Sequence, residues 1–408
     1  MLKFKNLFVF VVSTVITLPA FGAPPNLSRL VVVGDSLSAG VENFSLLDTQ
    51  QTHGYASLIA QQAGVSLTLP LVPDPGAPNV LQLRSLEPVP DVEPAPGTLP
   101  SLPRDNPFDV PTNVSVPGVT LNQALTLRPN PANTEGVAGW ATIVLGFPNL
   151  FYGQTPTEIE LAKQLHPTTV IEALGNNDAL VPALTGAINM LTPLNSFAQD
   201  YKTVLDNLAA PGRTLIVATI PDVTKVPYFI SPQAIAEQYH LPLGIVVSML
   251  GIRPNDYVRI TAEPDIYKIL TGTEPGPLPA SCPSPLAALS PNPIPCVLTA
   301  ADANTIRNTI TAYNLVIGVQ AALHGALIVD LHGLVDQIYT NGFNADNQHL
   351  TANFLGGLFS LDGIHPTNTG YAVIANRFID TMNAWLGAHI PDVDVNAVAA
   401  QDPLVFNK

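Results

Sequence analysis

Residues 29–40 read RLVVVGDSLSAG, and this stretch decides the fold. The β-branched run at 29–33 ends at Gly34 and predicts a short strand that is buried on both faces. Polar residues follow it at once, and residues 54–63 (GYASLIAQQA) have the character of a helix that turns back. A buried strand followed by a loop and a returning helix is the unit from which parallel sheets are built.

The same alternation recurs along the chain. Further buried strands are predicted at 168–174, 214–219 and 326–330. Helices are predicted at 156–166, 194–209 and 301–323, and from Thr367 to near Gly387. Strands that alternate with helices predict an α/β fold, a three-layer α/β/α sandwich with a mainly parallel central sheet. In that architecture functional residues collect in loops at the carboxyl ends of the strands.

Two proline-rich segments, about 73–107 and 222–298, interrupt this pattern and are predicted to be insertions in one domain spanning 23–390. Residues 391–408 are expected to form a C-terminal tail. The chain has no internal repeats, and hydrophobic residues make up 47% of it, which is enough for a large core.

The amino terminus, MLKFKNLFVFVVSTVITLPAFGAPP, has the layout of a secretory signal. A short basic head precedes an apolar run and small residues, so residues 1–22 are predicted to be a cleaved signal peptide. The alternative, a membrane anchor, needs about 20 apolar residues, and this run is shorter. Export to the periplasm or the cell exterior follows, and in that setting Cys282 and Cys296 are expected to form a disulfide.

The formal net charge is −15, and the 16 Lys and Arg residues do not cluster. A nucleic-acid partner needs a basic face that neutralises phosphates, so this class of function is excluded. No metal or cofactor is predicted, because no His lies at ligand spacing from the cysteines.

Ser36 and the turn DGIHPT at 362–367 carry the candidate chemistry. A Ser after a buried strand can present its hydroxyl to a substrate. Asp362 and His365, three residues apart, can hydrogen-bond, so that the carboxylate orients the imidazole and the other ring nitrogen deprotonates Ser36. The alternative is that Asp362 and His365 are turn residues before a helix capped by Thr367. A second Asp-x-x-His turn, ending at His349, is ranked lower because no clear strand or helix flanks it.

Two further residues could stabilise an oxyanion. Gly118, in NVSVPG at 113–118, offers a backbone N–H, and Asn177, in GNND at 175–178, offers a side-chain amide. Asn176 is a rival to Asn177. Alone, each segment is typical of a turn.

The order GDSL, then Gly, then Gly-x-Asn-Asp, then Asp-x-x-His-Pro resembles the SGNH superfamily, the GDSL esterases and lipases, over about residues 29–388. The resemblance implies a serine ester hydrolase in which Ser36 is the nucleophile, His365 the base and Asp362 its orienting acid. It implies that the N–H groups of Ser36 and Gly118 and the amide of Asn177 form the oxyanion hole. The absence of Gly-x-Ser-x-Gly removes the nucleophile elbow of α/β-hydrolases.

The substrate is left open by the sequence. The apolar composition favours a hydrophobic or lipid ester, with a carbohydrate O-acetylesterase and a non-catalytic binding protein as alternatives. No protein partner is predicted. Insertion 222–298 is predicted to be a cap beside the site, and its apolar segment 241–250 either lines an acyl pocket, rests on a lipid surface or packs as an extra helix.

Overall fold

A computed structural model of the protein describes residues 24–133, 135–284, 292–345 and 348–406. The predicted signal at 1–22 lies outside these ranges. The strands are β1 (Leu30–Gly34), β2 (Leu81–Ser85), β3 (Asp91–Pro94), β4 (Thr169–Ala173), β5 (Thr214–Ala218), β6 (Phe229–Ile230), β7 (Tyr257–Arg259), β8 (Val297–Leu298), β9 (Leu327–Val329), β10 (Phe343–Ala345) and β11 (Gln348–Leu350).

The α-helices are α1 (Ser36–Ala39), α2 (Asp48–Gln51), α3 (Tyr55–Gln62), α4 (Leu121–Thr126), α5 (Gly136–Gly146), α6 (Glu158–Gln164), α7 (Asn177–Thr185), α8 (Leu194–Leu208), α9 (Pro232–Gln238), α10 (Leu243–Leu250), α11 (Glu263–Leu270), α12 (Ala300–His324), α13 (Leu331–Asn341), α14 (Asn368–Leu386) and α15 (Val395–Ala399). Short 3-10 turns lie at Leu27–Arg29, Asn149–Tyr152, Ile188–Met190, Val223–Lys225 and Ile260–Ala262.

The central sheet consists of β1, β4, β5 and β9, which pair in the order β1-β4-β5-β9. All three pairings are parallel. These are the four buried strands that the sequence predicts. The outer edge of β1 is covered by segment 112–116: Val32 donates its N–H to the carbonyl of Thr112, and its own carbonyl accepts the N–H of Val114.

Both faces of this sheet are buried. Along β1, Val31 and Val33 point into a core that includes α8 and α12, and Leu30 and Val32 point into a second core that includes α3 and α14. A strand covered on both faces is uniformly apolar, which is why this stretch reads as an unbroken hydrophobic run. The predicted three-layer α/β/α sandwich is confirmed.

The C-terminal segment packs on the domain. Asp402 is buried and accepts hydrogen bonds from the N–H and the hydroxyl of Thr369, at 2.8 and 2.7 Å. Thr367 caps α14 as predicted, since its hydroxyl accepts the N–H of Gly370 at 3.1 Å.

Insertion 222–298 contains regular structure of its own. Helices α9, α10 and α11 and the sheet β6-β7-β8 enclose a small core, and a disulfide joins Cys282 to Cys296, which are both buried in it. Val246 and Leu250 of the apolar segment 241–250 pack in this core. None of the helices in the described ranges has the length and apolarity needed to cross a bilayer.

A buried arginine fastens the insertion to the main domain. The Arg259 guanidinium donates to the carbonyls of Ala183 and Leu184 at the end of α7, at 2.7 and 3.0 Å, and to that of Pro295. The carbonyls that end a helix lack partners within it, and a positive charge near them is favourable. No sequence motif marks this contact.

Candidate active site

Ser36 is the first residue of α1, directly after β1. The side chain of Asp35 caps this short helix by accepting the N–H of Leu37 at 3.0 Å. Gly34, which precedes Asp35, donates its N–H to the buried carboxyl group of Glu158 at 2.7 Å. These contacts fix the backbone on the amino-terminal side of Ser36 and leave its side chain partly exposed.

Asp35 is fully buried, and burial raises its pKa to about 6. The amide of Asn176, which donates to Asp35 at 2.7 Å, opposes this effect only in part. Asn176 is therefore engaged with the loop that carries Ser36.

The turn at 362–367 brings Asp362 and His365 together. Nδ1 of His365 lies 2.8 Å from Oδ2 of Asp362, and Oδ1 accepts the N–H groups of Ile364 and His365 at 2.7 and 2.8 Å. Burial acts to raise the pKa of Asp362, but His365 and these hydrogen bonds outweigh it, so the pKa lies below its ordinary value. Nε2 of His365 has no hydrogen-bond partner among the described residues.

Gly363 allows the turn to form. Its φ is +69°, in the left-handed region, and a Cβ there would lie 3.0 Å from the backbone nitrogen of Tyr228. Tyr228 belongs to insertion 222–298 and donates its N–H to the carbonyl of Gly363 at 2.8 Å. The insertion therefore contacts and supports the turn at 362–367.

A loop far away in sequence holds the same turn. Phe44 donates its N–H to Oδ2 of Asp362 at 2.6 Å, and the side chain of Asn43 accepts the N–H of Leu361 at 3.0 Å. Asn43 and Phe44 have φ of 52° and 59°, which is uncommon outside glycine and is a form of strain found at functional sites. Sequence reasoning missed both residues, and no motif marks Phe44.

Pairing with β1 positions Gly118. Val116 donates its N–H to the carbonyl of Gly34 at 3.0 Å, so the chain reaches Pro117 and Gly118 at the carboxyl end of β1, where Ser36 lies. Gly118 has φ of +74°, which glycine adopts without strain.

Asn177 is the first residue of α7 and is buried. Its amide donates to the carbonyl of Val119 at 3.0 Å. An amide nitrogen carries two N–H groups, so one remains for a ligand. Asn177, Gly118 and Ser36 line one cavity, which Asn176 does not line.

Two cavities meet at Ser36 and His365. The larger has a volume of about 850 Å³ and the smaller a volume of about 510 Å³, and both volumes include space that is open to solvent. His349 lines neither; it lies on β11, where Nδ1 of its ring is 2.8 Å from the side-chain oxygen of Asn344. Its companion Asp346 is outside the described residues.

Insertion 222–298 reaches the larger cavity through Val223 and Val226. Segment 241–250 contributes to neither cavity. Within the described ranges, no three His, Cys, Asp or Glu side chains gather in a way that could hold a metal ion.

Residues 30–378 match the GDSL-like Lipase/Acylhydrolase family, so the chain belongs to this family. It is an ester hydrolase, and the resemblance inferred from the four motifs is confirmed. No curated protein sequence matches the chain.

Two solved structures are similar to the chain. One is the crystal structure of LAE5, an alpha/beta hydrolase enzyme from the metagenome of Lake Arreo, Spain, at 15% identity and a TM-score of 0.38, covering 90% of this chain and 98% of that chain. The other is an extracellular lipase from Streptomyces rimosus, at 13% identity and a TM-score of 0.36, covering 87% and 98%.

Proposed function

We propose that the protein is a secreted carboxylester hydrolase that acts through an acyl-enzyme on Ser36. The observation that carries the proposal is the buried pair of Asp362 and His365, whose side chains lie 2.8 Å apart, because His365 lines both cavities that Ser36 lines. In a serine hydrolase the acid fixes the base, and the free nitrogen of the base faces the nucleophile.

In the proposed mechanism Nε2 of His365 accepts the proton of Ser36 as Oγ attacks the ester carbonyl carbon. The anionic Asp362 stabilises the resulting imidazolium. His365 then gives this proton to the departing alcohol oxygen, and the acyl group stays on Ser36. In the second half of the reaction His365 takes a proton from a water molecule whose oxygen attacks the acyl carbon. The bond from this carbon to Oγ of Ser36 then breaks, Oγ regains the proton from His365, and the acid leaves. The hydrogen bond between nucleophile and base commonly tightens only when substrate is bound.

The oxyanion is assigned to three donors: the N–H groups of Ser36 and Gly118 and the side-chain amide of Asn177. This assignment is supported by the position of the three residues, which all line the smaller cavity. Asn177 is preferred to Asn176 because the amide of Asn176 is directed to Asp35.

A hydrophobic or lipid ester is the proposed substrate. The larger cavity beside Ser36 is walled mainly by aliphatic side chains of α13, α14 and the start of insertion 222–298. We assign the insertion the role of one wall, through Val223 and Val226. Moving apolar surface from water into such a cavity favours binding.

Secretion is proposed from the signal-like residues 1–22 and agrees with the disulfide between Cys282 and Cys296, because disulfides persist in oxidising compartments. Mass spectrometry of the exported protein tests it: a mature amino terminus near Ala23 is expected, and an uncleaved terminus would contradict it.

Replacing Ser36 by alanine tests the nucleophile. We expect hydrolysis of p-nitrophenyl esters to fall by about 10⁴- to 10⁶-fold, and labelling by a fluorophosphonate to disappear. Ser38→Ala is a matched control, because Ser38 lies on the same helix but its hydroxyl is engaged in a hydrogen bond with the hydroxyl of Tyr55, at 2.7 Å. Wild-type turnover in a folded Ser36→Ala protein would refute the assignment.

The two histidine turns provide the test of the base. His365→Ala should be as damaging as Ser36→Ala, whereas His349→Ala should leave activity near that of the wild type. The opposite result would mean that the base belongs to the other turn.

A further inference from the structure

The two cavities share part of their lining. Four residues line both of them: Ser36, Leu180, Ile364 and His365. Away from these shared residues the larger cavity runs along α13 and α14, and the smaller one runs toward α5 and the loop of Phe44. The proposed reacting groups therefore lie between two separate spaces.

The walls of both cavities are apolar. Polar side chains are confined to the region of the nucleophile: Asp35 and Asn176 in the larger cavity, Asn177 in the smaller, and Ser36 and His365 in both. No Lys or Arg is among the described residues that line either space. Each wall can receive hydrocarbon, but neither offers a charge partner for a phosphate.

Trp140 does not change this chemistry, although its indole carries a donor. Nε1 of Trp140 already donates to the carbonyl of Ala77 at 3.0 Å, so the ring presents carbon atoms to the smaller cavity. Sugar hydroxyls there would lose their hydrogen bonds to water without replacement, which is unfavourable.

An ester has two substituents on opposite sides of its reacting carbonyl group, the acyl chain and the alcohol. When the carbonyl carbon lies at Ser36 and the departing oxygen faces His365, the two substituents extend in different directions. Building on the proposed function, we propose that each substituent occupies one cavity, so that the substrate is a neutral ester whose acid and alcohol parts are both apolar.

Two helix residues then set the size limits. Val181 on α7 lines only the smaller cavity, and Val335 on α13 lines only the larger. Both are partly buried valines, so replacing each by phenylalanine adds the same volume to one cavity at a time. Val319→Phe is the matched control, because Val319 on α12 is 58% exposed and lines neither space.

The experiment measures kcat/KM of the full chain on a matrix of neutral esters, with acyl chains of increasing length against alcohols of increasing length. In the wild type, kcat/KM should rise along both axes, by up to about fourfold for each methylene group buried. Val181→Phe and Val335→Phe should each reduce the preference for long over short groups. One variant should do so for the acyl chain and the other for the alcohol. Loss of room for two methylene groups corresponds to about 15-fold.

Val181→Leu and Val335→Leu provide a second test if a phenylalanine variant does not fold, with the same directions and smaller shifts. Fluorophosphonate labelling of Ser36 checks that each variant has an intact site. A phosphatidylcholine should be hydrolysed at least tenfold more slowly than a neutral diacylglycerol with the same acyl chains.

Three results would each overturn this inference while leaving the ester hydrolase intact. In the first, kcat/KM does not depend on alcohol length; in the second, the two variants act on the same axis. In the third, the phospholipid is hydrolysed faster than the diacylglycerol. Absence of hydrolysis of every ester, together with no labelling of Ser36, would overturn the proposed function and this inference with it.

Discussion

Replacing Asp362 by asparagine changes a carboxylate that meets four nitrogen atoms. Oδ1 accepts the N–H groups of Ile364 and His365, and Oδ2 faces the N–H of Phe44 and Nδ1 of His365, all at 2.6 to 2.8 Å. An asparagine side chain has a single acceptor oxygen, and its nitrogen carries two donors. In either orientation, its NH₂ group therefore faces at least one N–H donor.

The orientation that keeps the oxygen toward Ile364 retains two of these bonds. Its NH₂ group then meets the N–H of Phe44 and can donate to Nδ1 of His365. That places the ring proton on Nε2, so His365 can no longer accept a proton from Ser36. An asparagine that traps the wrong tautomer lowers kcat by about 10⁴-fold in a serine protease triad, and a similar loss is expected.

Stability should fall as well. A buried N–H that loses its acceptor costs about 1–3 kcal/mol, and hydrogen bonds to a charged group contribute more than neutral ones. For one orphaned N–H and one lost ionic contact, the free energy of unfolding should decrease by roughly 3 kcal/mol.

The assay combines kcat and KM on a p-nitrophenyl ester with urea unfolding of the same protein. Asp402→Asn is the control, because Asp402 is also a buried acceptor of three hydrogen bonds but does not contact His365. It should lose stability without the large loss of kcat. If Asp362→Asn keeps kcat within tenfold of the wild type, or if Asp402→Asn loses as much, the assigned role of Asp362 is wrong.

Three further results are expected. Asn177→Ala should lower kcat by about 10²- to 10³-fold, because an oxyanion donor acts in the transition state, and an effect on KM alone would contradict this. Because the pKa of Asp35 is raised from 3.8 to about 6, the folded state binds its proton more tightly, and this group lowers stability as pH rises through that range. Urea unfolding at pH 4 and pH 7 should show Asp35→Asn gaining about 2 kcal/mol relative to the wild type, and a pH-independent difference would refute this. Replacing Cys282 and Cys296 together by serine opens a loop with a sequence separation of 14 and should lower the unfolding free energy by about 3 kcal/mol, so an unchanged urea midpoint would count against it.

The sequence by itself determined the order of the fold. The four strands are recognisable because each is a short segment dominated by apolar residues, as expected of buried parallel strands, although β4 also carries the buried Glu172. The helix α8 was recognisable because its apolar residues recur on one face. The cap of α14 is also predictable from the sequence, since Thr367 and its partner Gly370 are three residues apart. The turn at 362–367 is likewise local, so Asp362 and His365 could be paired by their spacing.

Only the tertiary structure identified the contacts that join distant parts of the chain. Phe44 meets Asp362 across 318 positions, and Arg259 meets the end of α7 across about 75. No local period or spacing encodes such contacts. The apolar segment 241–250 shows the same limit: a helix that packs in a core and a helix that lines a pocket have one sequence pattern, and only the tertiary structure places Val246 and Leu250 in the insertion's own core. The positions of the two cavities beside Ser36 likewise depend on the tertiary structure, because the helices that line them come from distant parts of the chain.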